Sequence, residues 1–254
     1  MRSFDPVKIS LPHVTFIVLA YNQEDYILAA VESALAQNYS PLQIVIADDC
    51  STDRTFETVM KLANSYNGPH EIVPLRHKRN LGLIGNLNKA MEIAKGELIV
   101  ALGGDDIACP DRVQRIVTQW IENGKSSGSI FSNFKVMDAA GNARSIDSKK
   151  ELSIVRLADK DIDTLNAVST GTRGCAHAWT RDVFDLFGPI DPIAIHEDVT
   201  IPLRSLLIGS VTSMPDELVH YRVIGGTLSR ASFGSYRERF CPPAPFLEAL
   251  RIFC

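Results

Sequence analysis

The stretches LQIVIADD (42–49) and ELIVALGGDD (97–106) share one design: a short, continuous apolar run that ends in two adjacent aspartates. Runs of this length, rich in β-branched residues, read as strands buried on both faces. Like charges held that close repel and shift one another's protonation, so such pairs are rarely there for folding. An open α/β sheet binds its ligands outside the carboxyl ends of its strands. Two acidic pairs at that edge point to a site for a metal and a polyphosphate-bearing ligand.

Working outward, VTFIVLA (14–20) is another buried-type strand, followed by the polar turn Tyr21-Asn22-Gln23-Glu24. Asn22 is a candidate helix cap, with Ile27, Ala30, Val31, Ala34 and Leu35 at helical spacing behind it. After LQIVIA, Ser51 or Thr52 is placed to cap a second helix with Phe56, Val59, Met60 and Ala63 on one face. EIVPLR (71–76) is a weaker strand whose Pro74 suits a sheet edge. A third helix over 82–95 ends at Gly96 as a C′ residue, and a fourth has Pro110 at N1 and a stripe of Val113, Ile116, Val117, Trp120 and Ile121. Strands separated by helices in this way specify an α/β fold with a mostly parallel, doubly wound central sheet and helices on both faces.

The alternation weakens after residue 125. GSIFSNFKVMD reads as a strand, residues 138–163 as a polar, broken excursion, GCAHAWT as a strand, RDVFDLFG and HEDVTIPLRSLLIG as helices, and ELVHYRV as a last strand. The chain divides into an N-terminal tail (1–13), a ligand-binding half (14–125), a second half of the same domain (126–230), and a C-terminal tail or helix (231–254).

Composition excludes several classes. With 254 residues, 45% hydrophobic and 22% charged, the chain is large enough for a core without staples. Its net charge of −4 provides no global basic field, so nucleic acid is not an expected partner. Five cysteines (Cys50, Cys109, Cys175, Cys241, Cys254) lack metal or disulfide spacing and fit a reducing, cytoplasmic setting. The first residues contain no apolar signal region, and no run approaches the roughly 18 residues of a membrane span. The terminal PFLEALRIFC is short, apolar and mildly basic. It suits peripheral contact at the inner face of a membrane, self-association, or docking on this domain.

Three acidic groups are candidates for chemistry. Asp48-Asp49 offers acceptor-only oxygens for a base edge or a ribose diol, although an aspartate there also caps helices. Ala20, Tyr21 and Asn22 would line the same pocket. Asp105-Asp106 follows two glycines that let backbone approach a ligand, and its hard oxygens suit Mg2+ or Mn2+ beside a diphosphate. Glu197-Asp198 opens a helix, where acids are common, yet also suits a general base.

Together these segments carry a resemblance. LAYNQEDYILAAVESALAQNYSPLQIVIADDCSTDRT, NLGLIGNLNKAMEIAKGELIVALGGDDIACPDRV and HEDVTIPLRSLLIG, in this order across residues 14–225, resemble family 2 glycosyltransferases of the GT-A fold. The resemblance implies an inverting, single transfer of a sugar from a nucleotide donor, UDP-sugar foremost, to a saccharide or lipid-linked saccharide acceptor in bacterial glycan synthesis. It implies that Asp49, with Asp48 beside it, contacts the base, that Asp106 binds Mn2+ or Mg2+, that Asp105 contacts the donor's ribose or sugar, and that Asp198 deprotonates the acceptor. Glu24, Arg79 and Gly82 join the donor-binding candidates, with Arg79 either a phosphate contact or a solvated loop residue. Arg173, His177 and Glu197 are the acceptor-side candidates, and Trp179 is a core residue or a sugar platform. Gly103 stands where the family's outer aspartate is usual, and the processive Q-x-x-R-W motif is missing. Arg222 and Arg230 are candidates to neutralise a leaving diphosphate, or are surface charges. A nucleotide-sugar-binding domain without transfer, and a sugar nucleotidyltransferase, are the alternatives. The latter wants a Gly-rich basic loop after the first strand, which AYNQEDY does not supply.

Overall fold

The computed structural model describes residues 11–144, 153–156, 174–194 and 197–224. In chain order the elements are β1 (Val14–Ala20), α1 (Ile27–Leu35), β2 (Leu42–Asp48), α2 (Thr55–Ser65), β3 (Glu71–Arg76), α3 (Gly82–Ile93), β4 (Leu98–Gly103), β5 (Ile107–Ala108), α4 (Arg112–Glu122), β6 (Gly128–Met137), β7 (Ala143–Arg144), β8 (Ser153–Arg156), a 3-10 turn (Gly174–Ala176), β9 (His177–Thr180), α5 (Asp182–Phe187), α6 (Glu197–Ile208) and β10 (Ser210–Arg222). The strands form one sheet in the order β3-β2-β1-β4-β9-β6-β10-β5, with β7 on β6 and β8 on β10. The β3-β2-β1-β4 block is parallel, whereas β9 runs antiparallel to both β4 and β6.

Alternation along each strand builds two cores. Phe16, Val18, Ile44 and Ile46 pack on one face against Ile27, Val31, Val59, Val113 and Ile116 of α1, α2 and α4. Ile17, Val45, Ile99 and Ala101 pack on the other against Ile84 and Leu87 of α3, Val183 of α5 and Ile201 of α6. Helices therefore cover both faces. Pro74 lies in β3 at the sheet edge, where its missing N–H costs no ladder bond.

Local expectations fail where long-range contacts take over. Asn22 caps no helix: it has φ +50, and its Oδ1 accepts from Thr52 N–H at 2.8 Å across the sheet edge. α2 begins later than expected, with Asp53 Oδ1 accepting from Thr55 N–H at 2.9 Å, and Ser51 Oγ is used by Asn22 N–H. Pro110 precedes the first helical residue of α4 by two, and Ile121 is exposed, unlike the rest of its stripe. The excursion after residue 138 contains β7 and β8, and the last strand is longer than ELVHYRV, starting at Ser210.

Gly96 is not a left-handed helix terminator. It turns the chain from α3 into β4 against the backbone of β1, where its N–H donates to Thr15 Oγ1 at 2.8 Å. A Cβ at that position would collide with Thr15 N and sit 2.8 Å from the carbonyl carbon of Val14. Backbone cannot yield as a side chain does, so Gly96→Ala is expected to cost about 1–3 kcal/mol. Urea unfolding checks this, and an unchanged midpoint would contradict it.

Candidate active site

The site is assembled around the end of β1. Ala20 lies in register with Asp48 on one side, and Leu19 with Gly103 on the other. Beyond the strands the pinning continues: Ala20 C=O accepts from Asp49 N–H at 2.9 Å, and Leu19 C=O accepts from Gly104 N–H at 2.8 Å. β2 and β4 flank β1, so the two acidic pairs stand roughly 10 Å apart, two strand spacings. That span is comparable with a nucleoside diphosphate.

Around Asp48-Asp49 most groups have structural partners. Asp48 is fully buried, with Oδ2 accepting from Ser51 N–H at 3.1 Å and lying 3.5 Å from Arg76 Nε. Its Oδ1 has no hydrogen-bond partner. Asp49 Oδ1 accepts from Leu81 N–H at 2.7 Å, which ties this pair to the loop holding Arg79 and Gly82. Arg79 is exposed and lines a cleft of about 470 Å³ with Asn80, Leu81, Lys89 and Pro189. Gly82 takes φ +73 at the start of α3. Tyr21 is exposed at the rim and Ala20 is buried behind it. Glu24 has partners on the neighbouring turn. Its Oε2 accepts from Arg54 N–H at 3.1 Å and pairs with Arg54 Nε at 2.9 Å, joining the turn after β1 to the residue that precedes α2.

Asp105-Asp106 is the more constrained pair. Asp106 is buried, its Oδ1 accepts from the N–H of Arg222 at 2.8 Å, and the Cys175 thiol donates to its carboxylate. Burial, and then the charge of Asp105, push Asp106 well above the usual carboxylate range; burial likewise raises Asp105. A Cβ on Gly103 would lie 2.8 Å from Asp106 Oδ2 and 3.0 Å from Asp105 Oδ1, so glycine keeps open the space that the two carboxylates share. Among the described residues no group of three or more His, Cys, Asp or Glu can hold an ion alone. Two carboxylates completed by phosphate and water oxygens nevertheless form a donor set that Mg2+ or Mn2+ accepts, and added positive charge would offset their repulsion.

The 3-10 turn joins the third acid to this pair. Gly174 packs against Glu197 so closely that a Cβ would collide with Oε1, while the next residue, Cys175, reaches Asp106. Burial and the adjacent Asp198 push Glu197 up to about 7. Asp198 follows it in the first turn of α6.

Several expected positions are corrected. His177 does not line a pocket: it is fully buried, stacked on Phe131 at 3.8 Å, with Nε2 2.9 Å from Ser129 Oγ, and burial holds it well below the usual imidazole range. Trp179 is likewise core. Arg222 is no free surface charge. Its Nε donates to Asp105 C=O at 2.8 Å, Nη1 donates to Ala139 C=O at 2.9 Å, and its guanidinium stands over the Tyr26 ring. Arg173, Arg230 and the terminal PFLEALRIFC lie outside the described residues. Arg112 and Gln23 carry roles that no local pattern announces. Arg112 is fully buried at the start of α4 and donates to Ala101 C=O at 2.8 Å and Cys175 C=O at 2.7 Å, locking β4 to the 3-10 turn. No helix among the described residues is long and apolar enough to cross a membrane.

Residues 15–180 match the family model for Glycosyl transferase family 2. An uncharacterized glycosyltransferase of Nostoc sp. is 28% identical over 234 residues, covering 89% of this chain and 70% of that protein. The Escherichia coli UDP-Glc:alpha-D-GlcNAc-diphosphoundecaprenol beta-1,3-glucosyltransferase WfaP is 41% identical over 93 residues, 37% of this chain and 35% of that one. The succinoglycan biosynthesis protein ExoO of Rhizobium meliloti is 33% identical over 150 residues, and the chain spans 58% of itself and 40% of ExoO there. In three dimensions, S. aureus TarS 1-349 in complex with UDP-GlcNAc superposes with TM-score 0.68 at 19% identity, covering 94% of this chain and 65% of that one. A mannosyltransferase from Pyrobaculum calidifontis, in complex with GDP-Man and Mn2+, gives 0.65 at 21% identity over 86% and 59%. At these identities the two structures establish a shared GT-A fold.

The raised Asp106 has a consequence for stability. A carboxyl whose folded value lies above its unfolded one binds more protons when folded, so stability falls as pH rises from about 4. Without divalent ions, Asp106→Asn is expected to be more stable than the parent at pH 7 and to lose part of this pH slope. Thermal melts in chelator from pH 4 to pH 8 check this, and a less stable variant would contradict it.

Proposed function

The chain belongs to glycosyl transferase family 2, and on that premise we propose that it transfers a single sugar, with inversion, from a nucleotide donor to an acceptor hydroxyl. A UDP-sugar is the proposed donor, and a saccharide or lipid-linked saccharide of a bacterial polysaccharide pathway the proposed acceptor. Residues 14–125 are assigned to the donor and 126–230 to the acceptor. The observation that carries this reading is the convergence of three acidic groups at one sheet edge: Asp48-Asp49 and Asp105-Asp106 on either side of β1, and Glu197-Asp198 joined to the second pair through Gly174 and Cys175.

Roles follow from chemistry. Asp49 keeps acceptor capacity for a base N–H or a ribose hydroxyl beyond its bond to Leu81. Asp106, with Asp105 beside it, would hold a divalent cation. When bound there, that cation supplies Lewis-acid charge that offsets the departing diphosphate. Asp198 accepts the proton of the acceptor hydroxyl as the new O–C1 bond forms. The bond from C1 to the diphosphate oxygen breaks in the same displacement, and the nucleoside diphosphate leaves with its electron pair. A single displacement with inversion requires no enzyme nucleophile, so no Ser or Cys side chain is assigned one. Glu197, held high, is suited to donate a hydrogen bond to an acceptor or donor oxygen.

Two variants separate these roles. Asp198→Asn is expected to lower turnover roughly 10²–10⁴-fold, as for loss of a general base, while leaving affinity for UDP with Mn2+ within about two-fold. Asp106→Ala is expected to lose both turnover and the Mn2+-dependent part of UDP binding. Release of UDP from a panel of UDP-sugars, with calorimetry of UDP binding, reads both. Full activity in either variant would overturn the assignment.

A further inference from the structure

One side chain bridges the nucleoside turn and the carboxylate pair. Gln23 Oε1 accepts from Tyr21 N–H at 3.3 Å, and its side chain also hydrogen-bonds the Asp105 carboxylate. A carboxylate only accepts, so the amino end of the Gln23 amide faces Asp105 while the carbonyl end holds Tyr21. Space for this bridge is reserved by Gly104, where a Cβ would collide with Gln23 Oε1 and sit 3.1 Å from Ala20 Cβ. The backbone of Gln23 is itself fixed: its N–H donates to Thr55 Oγ1 at 2.7 Å, and its C=O accepts from Tyr26 and Ile27 N–H, each at 2.9 Å. From the other side, Arg222 donates to Asp105 C=O and stands over the Tyr26 ring, 4.8 Å from its centroid. Asp105 is thus gripped through its side chain by the turn that follows β1, and through its backbone by an arginine stacked on that same turn.

A rigid amide plane with one end on Tyr21 and the other on Asp105 cannot shift at one end alone. Docking a base against residues 20–22 and docking a cation against residues 105–106 both bias the position of this plane. We propose that Gln23 is a positioning residue that couples the two subsites, so that nucleoside and divalent cation strengthen each other's binding through the protein as well as through the diphosphate. This rests on the assignment of the nucleoside to Asp49 and of the cation to Asp106 made above. Coupling of this kind is reciprocal, which makes it measurable from either ligand.

Uridine isolates the effect, because it has no phosphate with which to touch the cation. Binding of uridine and of UDP is measured by calorimetry with and without Mn2+, on the parent, Gln23→Ala and Gln23→Glu. Gln23→Glu keeps the reach and the packing against Gly104 but replaces the donor facing Asp105 with an acceptor, so it serves if Gln23→Ala fails to fold. In the parent, Mn2+ is expected to tighten uridine binding about five-fold. In both variants this ratio is expected to fall to about one, with uridine affinity in chelator changed less than about three-fold. UDP should keep the remainder of its Mn2+ dependence, which comes from direct phosphate contact. A parent ratio of one, or an unchanged ratio in a folded variant, would overturn the coupling while leaving the functional reading intact. No binding of UDP by the parent, with or without Mn2+, would overturn both.

Discussion

The end of β1 is the constraint on which the rest of the site depends. Two carbonyls, those of Leu19 and Ala20, accept from Gly104 and Asp49, and this fixes the turns after β4 and β2 in register with one strand. Carboxylates that would repel freely in solution are thereby held at a set spacing by the backbone ladder. The ladder is stabilised by two full cores, since every residue of β1 except Leu19 is buried and neighbouring residues feed opposite faces. The sheet supplies the rigidity, and the polar turns beyond it present the candidate acids.

Charge on that edge is costly, and the fold distributes the cost. Asp48 has Ser51 and Arg76. Asp106 has the Arg222 amide, with Arg112 close enough to bias it. Arg112 is itself desolvated, which lowers its guanidinium to about 10. Two of its nitrogens, Nε and Nη1, lack hydrogen-bond partners. Buried cation and buried anion are each unfavourable alone. Both contact Cys175, and Gly174 beside it packs on Glu197, so this short segment joins the two acidic groups.

Most of the frame was legible in the chain because its signals are local. VTFIVLA, LQIVIA, EIVPLR and ELIVAL are apolar runs bounded by polar turns, and they became β1 to β4 with boundaries within a residue. The helix caps were not legible, because Asn22, Ser51 and Thr52 bond across the sheet edge to each other rather than to their own helices. Only the second part of β10 shows in the sequence pattern because Pro215 and Asp216 interrupt it, and the pairing with β6 slips in register between Ser213 and Val219. The family resemblance puts His177 on the acceptor side, whereas β9 turns it, with Trp179, into the core. Gln23, Arg112 and Cys175 carried no signal of their own, since each acts on a residue remote in the chain. The glycines did carry one: Gly103, Gly104 and Gly174 each mark a place where a site carboxylate or its positioning amide comes too near for a side chain.

The proposed role of the Asp105-Asp106 turn is to hold a divalent cation against the diphosphate of a nucleotide. Crystals soaked with UDP and Mn2+, with anomalous diffraction at the manganese edge, test it most directly. One manganese peak is expected about 2.1 Å from an Asp106 carboxylate oxygen and from diphosphate oxygens, with the base lying toward Asp49. Manganese bound elsewhere, or UDP seated away from the end of β1, would contradict it.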